Sequence, residues 1–598
     1  MPHLPRRART FRALALPVAV AGAALAVWLH PLGGGSEPPH TAAPVAQSGR
    51  QVATSGPSAA PAAPAAPGPE ALRAEPAGSV PVGSAAYPVP DGAIMVAPDG
   101  DDGAAGTPDR PLRTVAAAVA KAGRSGTVVV RGGVYHESVT IPDGSRVDVR
   151  AYPHEAVWLD GSSPVTSWRA EDGAWVSDGW TARFDASPTY TKGAQPSGDA
   201  AFQFVSPDHP MAAHPDQLWV DGAAQVQVGS RGEVRGGTFY VDEGARRLYM
   251  GSDPRGHDVR GATLSEAVTV RGAGSALRGL GVRRYATSLP QMGTVKLAAP
   301  DVTVENVVVE GSATTGVSAL SSGARLHRVT SSRNGLLGVH ANQADGLRLQ
   351  GVRTDGNNTE HFKYAPVSGG VKVTRSRDVS IVDSVAAGNL GKGFWLDESV
   401  YDGVLLRDRA VGNADHGAVL ELGAKAVVAG SVLRDNGGAG LKVNDTSDVR
   451  IRNNTLAGNL RGLWLVQDAR RRGDPGADPR HPDDPAMTWR IEDVAVAANV
   501  FGAGRAGAAC LLCVEDATGA HSAAELRITA AGDRFAGGGP YPLVVWPGVR
   551  GARTAYDDLD RFRRDTGQED PGAPPLPADL AALAGRPAGD RHVGAWPS

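Results

Sequence analysis

From Gly316 onward the chain repeats one short pattern, a glycine followed by four residues that alternate in and out of apolar character. The copies are Gly316 (GVSAL), Gly338 (GVHAN), Gly370 (GVKVT), Gly393 (GFWLD), Gly417 (GAVLE), Gly440 (GLKVN) and Gly462 (GLWLV). Successive glycines lie 22, 32, 23, 24, 23 and 22 positions apart, so one step carries about ten extra residues and the rest are nearly constant. A period in the low twenties with one apolar strand after a fixed glycine marks the coil of a solenoid. Asn334, Asn389, Asn413, Asn436 and Asn459 recur three or four residues before these glycines, where stacked amides can bond from coil to coil. A second alternating segment in each coil reads VSIVDSV, VLLRDRAV, VVAGSVL and VRIRNNTL.

These features predict an all-β fold, a right-handed parallel β-helix. The leucine scaffold and helical returns of a leucine-rich repeat are absent. Gly is abundant, 77 of 598 residues, without a collagen-like triplet, which fits a body with many turns.

Period-two alternation assigns each strand position to a side of the sheet. The first and third residues after the glycine point into the coil: Val371/Val373, Phe394/Leu396, Ala418/Leu420 and Leu441/Val443. The second position points outward and reads Ser318, His340, Lys372, Trp395, Val419, Lys442, Trp464. The fourth, also outward, reads Leu320, Asn342, Thr374, Asp397, Glu421, Asn444, Val466. Neighbouring coils stack at ~4.8 Å, so Asp397 and Glu421 are expected as direct neighbours on one exposed face. Lys372, Trp395 and Lys442 should surround them, with His340, Asn342 and Asn444 extending the polar strip.

The rest of the chain divides around this body. Residues 1–30 combine a basic start (Arg6, Arg7, Arg9, Arg12) with an apolar run from Ala13 to Leu29, the layout of an export signal or an uncleaved membrane anchor. Residues 31–90 are rich in Ala, Pro, Gly and Ser and read as an extended tether to a membrane or cell wall. Residues 91–161 read as the first coils plus a short helix opened by Pro111, with Val115, Ala118, Val119 and Ala122 on its apolar face. Asp99, Asp101 and Asp102 beside it suit either a solvated turn or calcium. Residues 162–262 have another texture. Five of the eleven Trp fall from Trp158 to Trp219, and FYVDEGARRLYMGSDP reads as a hairpin turning at Glu243-Gly244-Ala245, so this stretch is expected as a β-rich insertion. The helix core is assigned to 263–550, and 551–598 to a tail whose short helix covers the last open coil.

Composition narrows the function classes. With 60 Lys and Arg against 63 Asp and Glu, the formal charge is −3, and nothing calls for a nucleic-acid partner or an anionic membrane surface. Fifteen scattered His and two Cys show no structural-zinc spacing, and no cofactor motif is present. Cys510 and Cys513 form a CxxC in an exported chain. On a continuous strand they would face opposite sides, so a disulfide there requires a turn or bulge.

The candidate chemistry is the carboxylate pair. Retaining glycosidases use two carboxyl groups about 5–5.5 Å apart, one attacking and one donating a proton. Adjacent rungs of a parallel sheet supply nearly that separation. Like charges this close push the two pKa values apart. Lysines beside the pair favour the ionised form, and a Trp face suits sugar stacking. The alternative is an ordinary solvated face of a solenoid.

Two resemblances bear on this. The segment from Ile94 to Ile141 resembles the opening segment of pectate-lyase-like β-helix proteins. GFWLD, followed one coil later by the Glu of GAVLE, is similar to β-helix glycosidases of the β-xylosidase type. That resemblance implies Asp397 as nucleophile, Glu421 as acid/base, and a polysaccharide or oligosaccharide as partner. The long loop NNTEHFKYAPVSGG adds His361 and Tyr364 (with Glu360 and Lys363) as substrate contacts, and Gln467 to Met487 adds Arg470, Arg471 and Arg472. A lyase or uronate epimerase, with a base among Lys372, Lys442, His340, His361 and Tyr364, and a binding-only solenoid are the other readings.

Overall fold

The structure, a computed structural model, describes residues 76–196, 203–470, 487–536 and 539–569. The expected export segment, the tether up to residue 75, Arg471, Arg472 and the tail beyond 569 lie outside the described residues.

Three long sheets of thirteen, twelve and thirteen strands make the body, and within each the strands of successive coils pair in parallel. One coil runs through Leu337–Asn342, Arg348–Gln350 and Arg353–Asp355 before the next begins at Gly369–Thr374. The glycine-led strands stack in register as Val339, Val371, Phe394, Ala418, Leu441 and Leu463. These side chains, and Ala341, Val373, Leu396, Leu420, Val443 and Leu465 two positions on, are at most 2% exposed and form the core. Each large one contributes ~1.5–3 kcal/mol of apolar burial.

The repeated glycine and asparagine have one shared cause. The Asn334, Asn357, Asn389, Asn413, Asn436 and Asn459 amides form a continuous ladder, each Nδ2 donating to the next Oδ1 at 2.8–3.0 Å. A Cβ on Gly393 would lie 2.9 Å from Asn413 Nδ2, and one on Gly417 2.6 Å from Asn436 Nδ2. At these positions the ladder amide and the carbonyl of the next coil's glycine, 2.3 Å from a Cβ on Gly393, together leave no room for a side chain. Asn357, in the long coil, joins the ladder although the extra loop hides its spacing.

The helix Val115–Ala122 starts later than its sequence suggests. Thr114, not Pro111, is its N-cap, and the Glu137 carboxylate accepts the Val115 and Ala116 N–H groups at 2.9 Å. Val115, Ala118 and Val119 are buried against the first coil. Asp102 accepts hydrogen bonds from the Arg113 and Thr114 N–H groups and the Thr114 hydroxyl, and Asp101 accepts from Gly103. At the other end, Arg553–Tyr556 turns back antiparallel on Val544–Pro547, and helix Leu559–Thr566 sets Phe562 on Trp546 and Tyr556.

A separate eight-stranded sheet is built from strands between Ser162 and Ala262, including the hairpin Thr238–Asp242 with Arg247–Met250. Its loops reach the solenoid: Phe204, Ala212 and Ala213 pack with Leu336, Leu337, Phe362 and Val367.

The tether reading needs correction at its carboxyl end. From residue 76 the chain lies along the solenoid: Gly78 N donates to Gly351 O, Ser79 N to Thr330 Oγ1, and Asn306 Nδ2 to the Tyr87 hydroxyl. Each coil offers polar groups at the same ridge, so an extended chain can bond to several coils in succession.

Candidate active site

The expected rungs are present. Lys372 pairs with Trp395 and Thr374 with Asp397, while Trp395 pairs with Val419 and Glu421 with Asn444. Since Leu396 pairs with Leu420, Asp397 and Glu421 follow as the next lateral neighbours.

The face is not exposed, which corrects the sequence expectation. Asp397 is 5% exposed, Lys372 6%, Trp395 4%, His340 4% and Asn444 3%, and the Glu421 side chain is largely buried. Segments from elsewhere cover it. The Tyr190 ring from the insertion lies 5.4 Å from that of His340, the Tyr364 and Pro366 carbonyls accept from Lys392 and Lys372, and Arg470 reaches Glu421.

Each carboxylate has its own cation. Lys372 Nζ lies 2.8 Å from Asp397 Oδ2, and the Glu398 N–H donates to Asp397 Oδ1 at 2.8 Å. Arg470 Nη2 lies 2.8 Å from Glu421 Oε1, and Trp395 Nε1 donates to Glu421 Oε2 at 3.0 Å. Arg470 is itself fixed, 2.7 Å from Asp468, 3.4 Å from Asp445 and 3.0 Å from Asn444 Oδ1.

Trp395 is not an open sugar platform. Lys372 Nζ lies 3.5 Å and Lys392 Nζ 4.2 Å from its ring centroid, so the indole holds two ammonium groups and aims its N–H at Glu421. Lys392 also binds Asp415 Oδ2 at 2.8 Å. The alternation missed Lys392 because the strand turns a corner at Gly393, which returns the residue before the glycine to the outer side. The cation directly before the glycine of GFWLD was the available signal. Lys442 sits two coils from Trp395, 4.5 Å from the Trp464 ring centroid. His361 stacks on His209 of the insertion at 4.4 Å, and the Tyr364 side chain is 39% exposed. His416 Nδ1 accepts the Ala439 N–H at 2.8 Å.

The same corner explains the CxxC. Cys510 and Cys513 belong to one strand, Cys510–Asp516, yet their Cα atoms are much closer than three extended residues allow, so the chain bends sharply between them. Cys510 and Cys513 thereby face one way, 5.7 Å apart at Cα, and form a disulfide.

Burial and charge set the protonation pattern. For Glu421, burial alone would raise the pKa, but Arg470 and Lys442 outweigh it and bring it down to about 2. For Asp397, burial raises the pKa, Lys372 opposes the rise and Glu421 adds to it, and the net direction is up. Burial, then Asp397, pushes Glu398 up to about 7. Burial and the hydrogen bond with Asp468 push Asp445 up to about 9. The free protein thus holds an ionised Glu421 beside a carboxyl group that resists ionisation.

The fold and this site define a right-handed parallel β-helix protein with two carboxylates buried on adjacent rungs of one sheet. Comparison with known proteins agrees on the fold. A family model described as the right handed beta helix region matches residues 295–465. The structure described as the complex structure of XylC with xylose aligns with a TM-score of 0.54 at 15% identity, covering 69% of this chain and 76% of that one. The mannuronan C-5 epimerase AlgE4 A-module of Azotobacter vinelandii aligns at 0.40 and 13% identity, covering 72% of this chain and 94% of that one. Among curated proteins, the uncharacterized protein YwoF of Bacillus subtilis (strain 168) is 38% identical over 74 residues, a match spanning 12% of this chain and 16% of that relative.

Proposed function

We propose that this protein is an exported carbohydrate-active enzyme, a retaining glycoside hydrolase working through Asp397 and Glu421. The observation that carries the reading is the pair itself: two carboxylates on adjacent rungs, each fixed by a cation and a second hydrogen-bond donor. A sheet gains nothing from like charges side by side. The rung spacing of ~4.8 Å is close to what covalent catalysis through a glycosyl-enzyme intermediate requires.

The roles within the pair follow from which group gives up a contact. The resemblance assigns attack to Asp397 and proton donation to Glu421. For Glu421 to carry a proton, Arg470 must yield its 2.8 Å contact, and substrate binding between the groups would have to supply that change. For Asp397 to carry the proton, Lys372 must likewise yield its 2.8 Å contact. The opposite shifts of the two groups, Glu421 down and Asp397 up, favour the reverse of the inherited assignment, and chemical rescue separates the two. Azide added to the variant lacking the nucleophile yields a glycosyl azide of inverted configuration. In the variant lacking the acid/base it yields one of retained configuration.

Xylo-oligosaccharides are the first substrates to test, since the solved structure aligned above holds xylose. Asp397→Asn and Glu421→Gln are each expected to abolish release of reducing sugar; full activity in either variant removes the pair from the mechanism. Unsaturated products would instead identify a lyase. The geometry supports that reading less, because Lys372 Nζ is already engaged by Asp397 Oδ2 at 2.8 Å and by the Trp395 ring at 3.5 Å.

A further inference from the structure

Next to the carboxylate pair, the insertion and the solenoid meet at two aromatic side chains whose polar atoms have no use inside the protein. The Tyr190 hydroxyl and His340 Nδ1 are both buried, and neither meets a hydrogen-bond partner among the described residues. Their rings lie 5.4 Å apart, and Phe204 holds the Tyr190 ring edge-on at 5.2 Å. Neither position is loose. Phe204 belongs to the apolar contact that fixes the insertion loop to the coil at Leu336 and Leu337, and its carbonyl accepts the Lys363 N–H at 2.9 Å. His340 is locked in the sheet, paired laterally with Ser318 on one side and Lys372 on the other.

A buried hydroxyl and a buried imidazole nitrogen without partners each weaken the fold unless something repays their lost hydration. Two such atoms whose rings are in contact, one rung from Lys372 and two from Trp395, are hydrogen-bonding groups left for a ligand to satisfy. We infer that Tyr190 and His340 form a subsite for the hydroxyl groups of a neutral glycosyl unit, about two rungs (~10 Å) along the sheet from Trp395. The inference rests on the glycoside-hydrolase reading above and adds its specificity: the unit bound here is uncharged and is recognised by paired hydroxyl contacts. Burial and the neighbouring Lys372 lower the His340 pKa to about 3, so the imidazole stays neutral, and the Lys372 ammonium beside it is already engaged by Asp397. A neutral imidazole can donate from one ring nitrogen and accept at the other, and a phenol can do both, which matches a sugar hydroxyl. Tyr190 had no signal in the sequence, because its contact with His340 joins two segments that share no pattern.

The arrangement gives Tyr190→Phe an unusual pair of effects. The substitution removes only the unpartnered hydroxyl and keeps the ring contacts with Phe204 and His340. Thermal stability of the ligand-free protein should therefore hold or rise, while affinity for the saccharide falls roughly tenfold, the equivalent of about 1.4 kcal/mol. The measurement is calorimetric titration of xylotriose and xylotetraose into the Glu421→Gln protein, with and without Tyr190→Phe, alongside melting curves without ligand. His340→Gln serves as a second variant and should weaken the same saccharides. A lower melting temperature with unchanged affinity in Tyr190→Phe would show the hydroxyl to be bonded inside the protein and overturn the subsite. Equal binding of neutral and uronate-bearing oligosaccharides would overturn the neutral class. If the parent protein cleaves saccharides and needs Asp397 and Glu421, but Tyr190→Phe binds them normally, the subsite fails alone. If the parent neither binds nor cleaves any saccharide, the hydrolase reading fails first and the subsite with it.

Discussion

Replacing Arg470 by Gln tests the electrostatic account of the site most directly. The guanidinium approaches Glu421 to 2.8 Å, and both side chains are largely buried. With charge centres about 4 Å apart and an effective dielectric of about 20, the pair is worth roughly 4 kcal/mol, or about three pKa units. Gln keeps a hydrogen-bond donor and recovers a small part of this. Glu421 should then rise from about 2 into the ordinary carboxylate range or slightly above it. The sign for stability follows from linkage. A carboxyl group depressed in the folded state stabilises the protein above its unfolded pKa, and that contribution is lost as pH falls through the folded value. The deficit of Arg470→Gln should therefore be largest at neutral pH, roughly 3 kcal/mol, and shrink as pH falls from about 4.5 towards 2. Asp468, which shares Arg470, moves in the same direction. The Glu421 part is isolated by repeating the comparison in a Glu421→Gln background, where it vanishes. Urea unfolding midpoints from pH 2.5 to 7, with carboxyl carbon chemical shifts of labelled Glu, supply the data. A deficit that stays constant with pH, or a Glu421 titration that does not move, would refute the argument.

Other expectations follow from single contacts. Trp395→Phe removes the N–H that donates to Glu421 but keeps a ring for Lys372 and Lys392. A hydrogen bond to a charged group is worth ~1.5–3 kcal/mol, so the Glu421 pKa should rise by about one to two units in the same titration. Asn389→Ala breaks the ladder in mid-body, leaving the Asn357 main-chain and side-chain N–H groups without their acceptor; a loss of about 3 kcal/mol or more is expected in chemical unfolding, and a loss below 1 would count against the ladder as a stabilising element. Cys510→Ser with Cys513→Ser opens a very short loop, so the unfolding free energy should fall by only about 2 kcal/mol, with activity retained.

What the sequence determined by itself was the solenoid and the side of the sheet on which each strand residue lies. The reason is local: alternation has a period of two, the coil has a period near twenty-three, and the ladder ties Asn and Gly to fixed points of every coil. Asp397 and Glu421 could be placed as neighbours from those periods alone. Lys392 could not, because the corner at Gly393 breaks the alternation without changing its letters. The tertiary structure decided how the outward face is used. Tyr190, Pro366 and Arg470 arrive from an insertion and two loops whose positions depend on packing between distant segments. Their arrival turns an exposed polar strip into a buried one. Burial raises the Asp397 pKa, while Arg470 and Lys442 hold that of Glu421 down against burial, a difference that residue spacing does not encode.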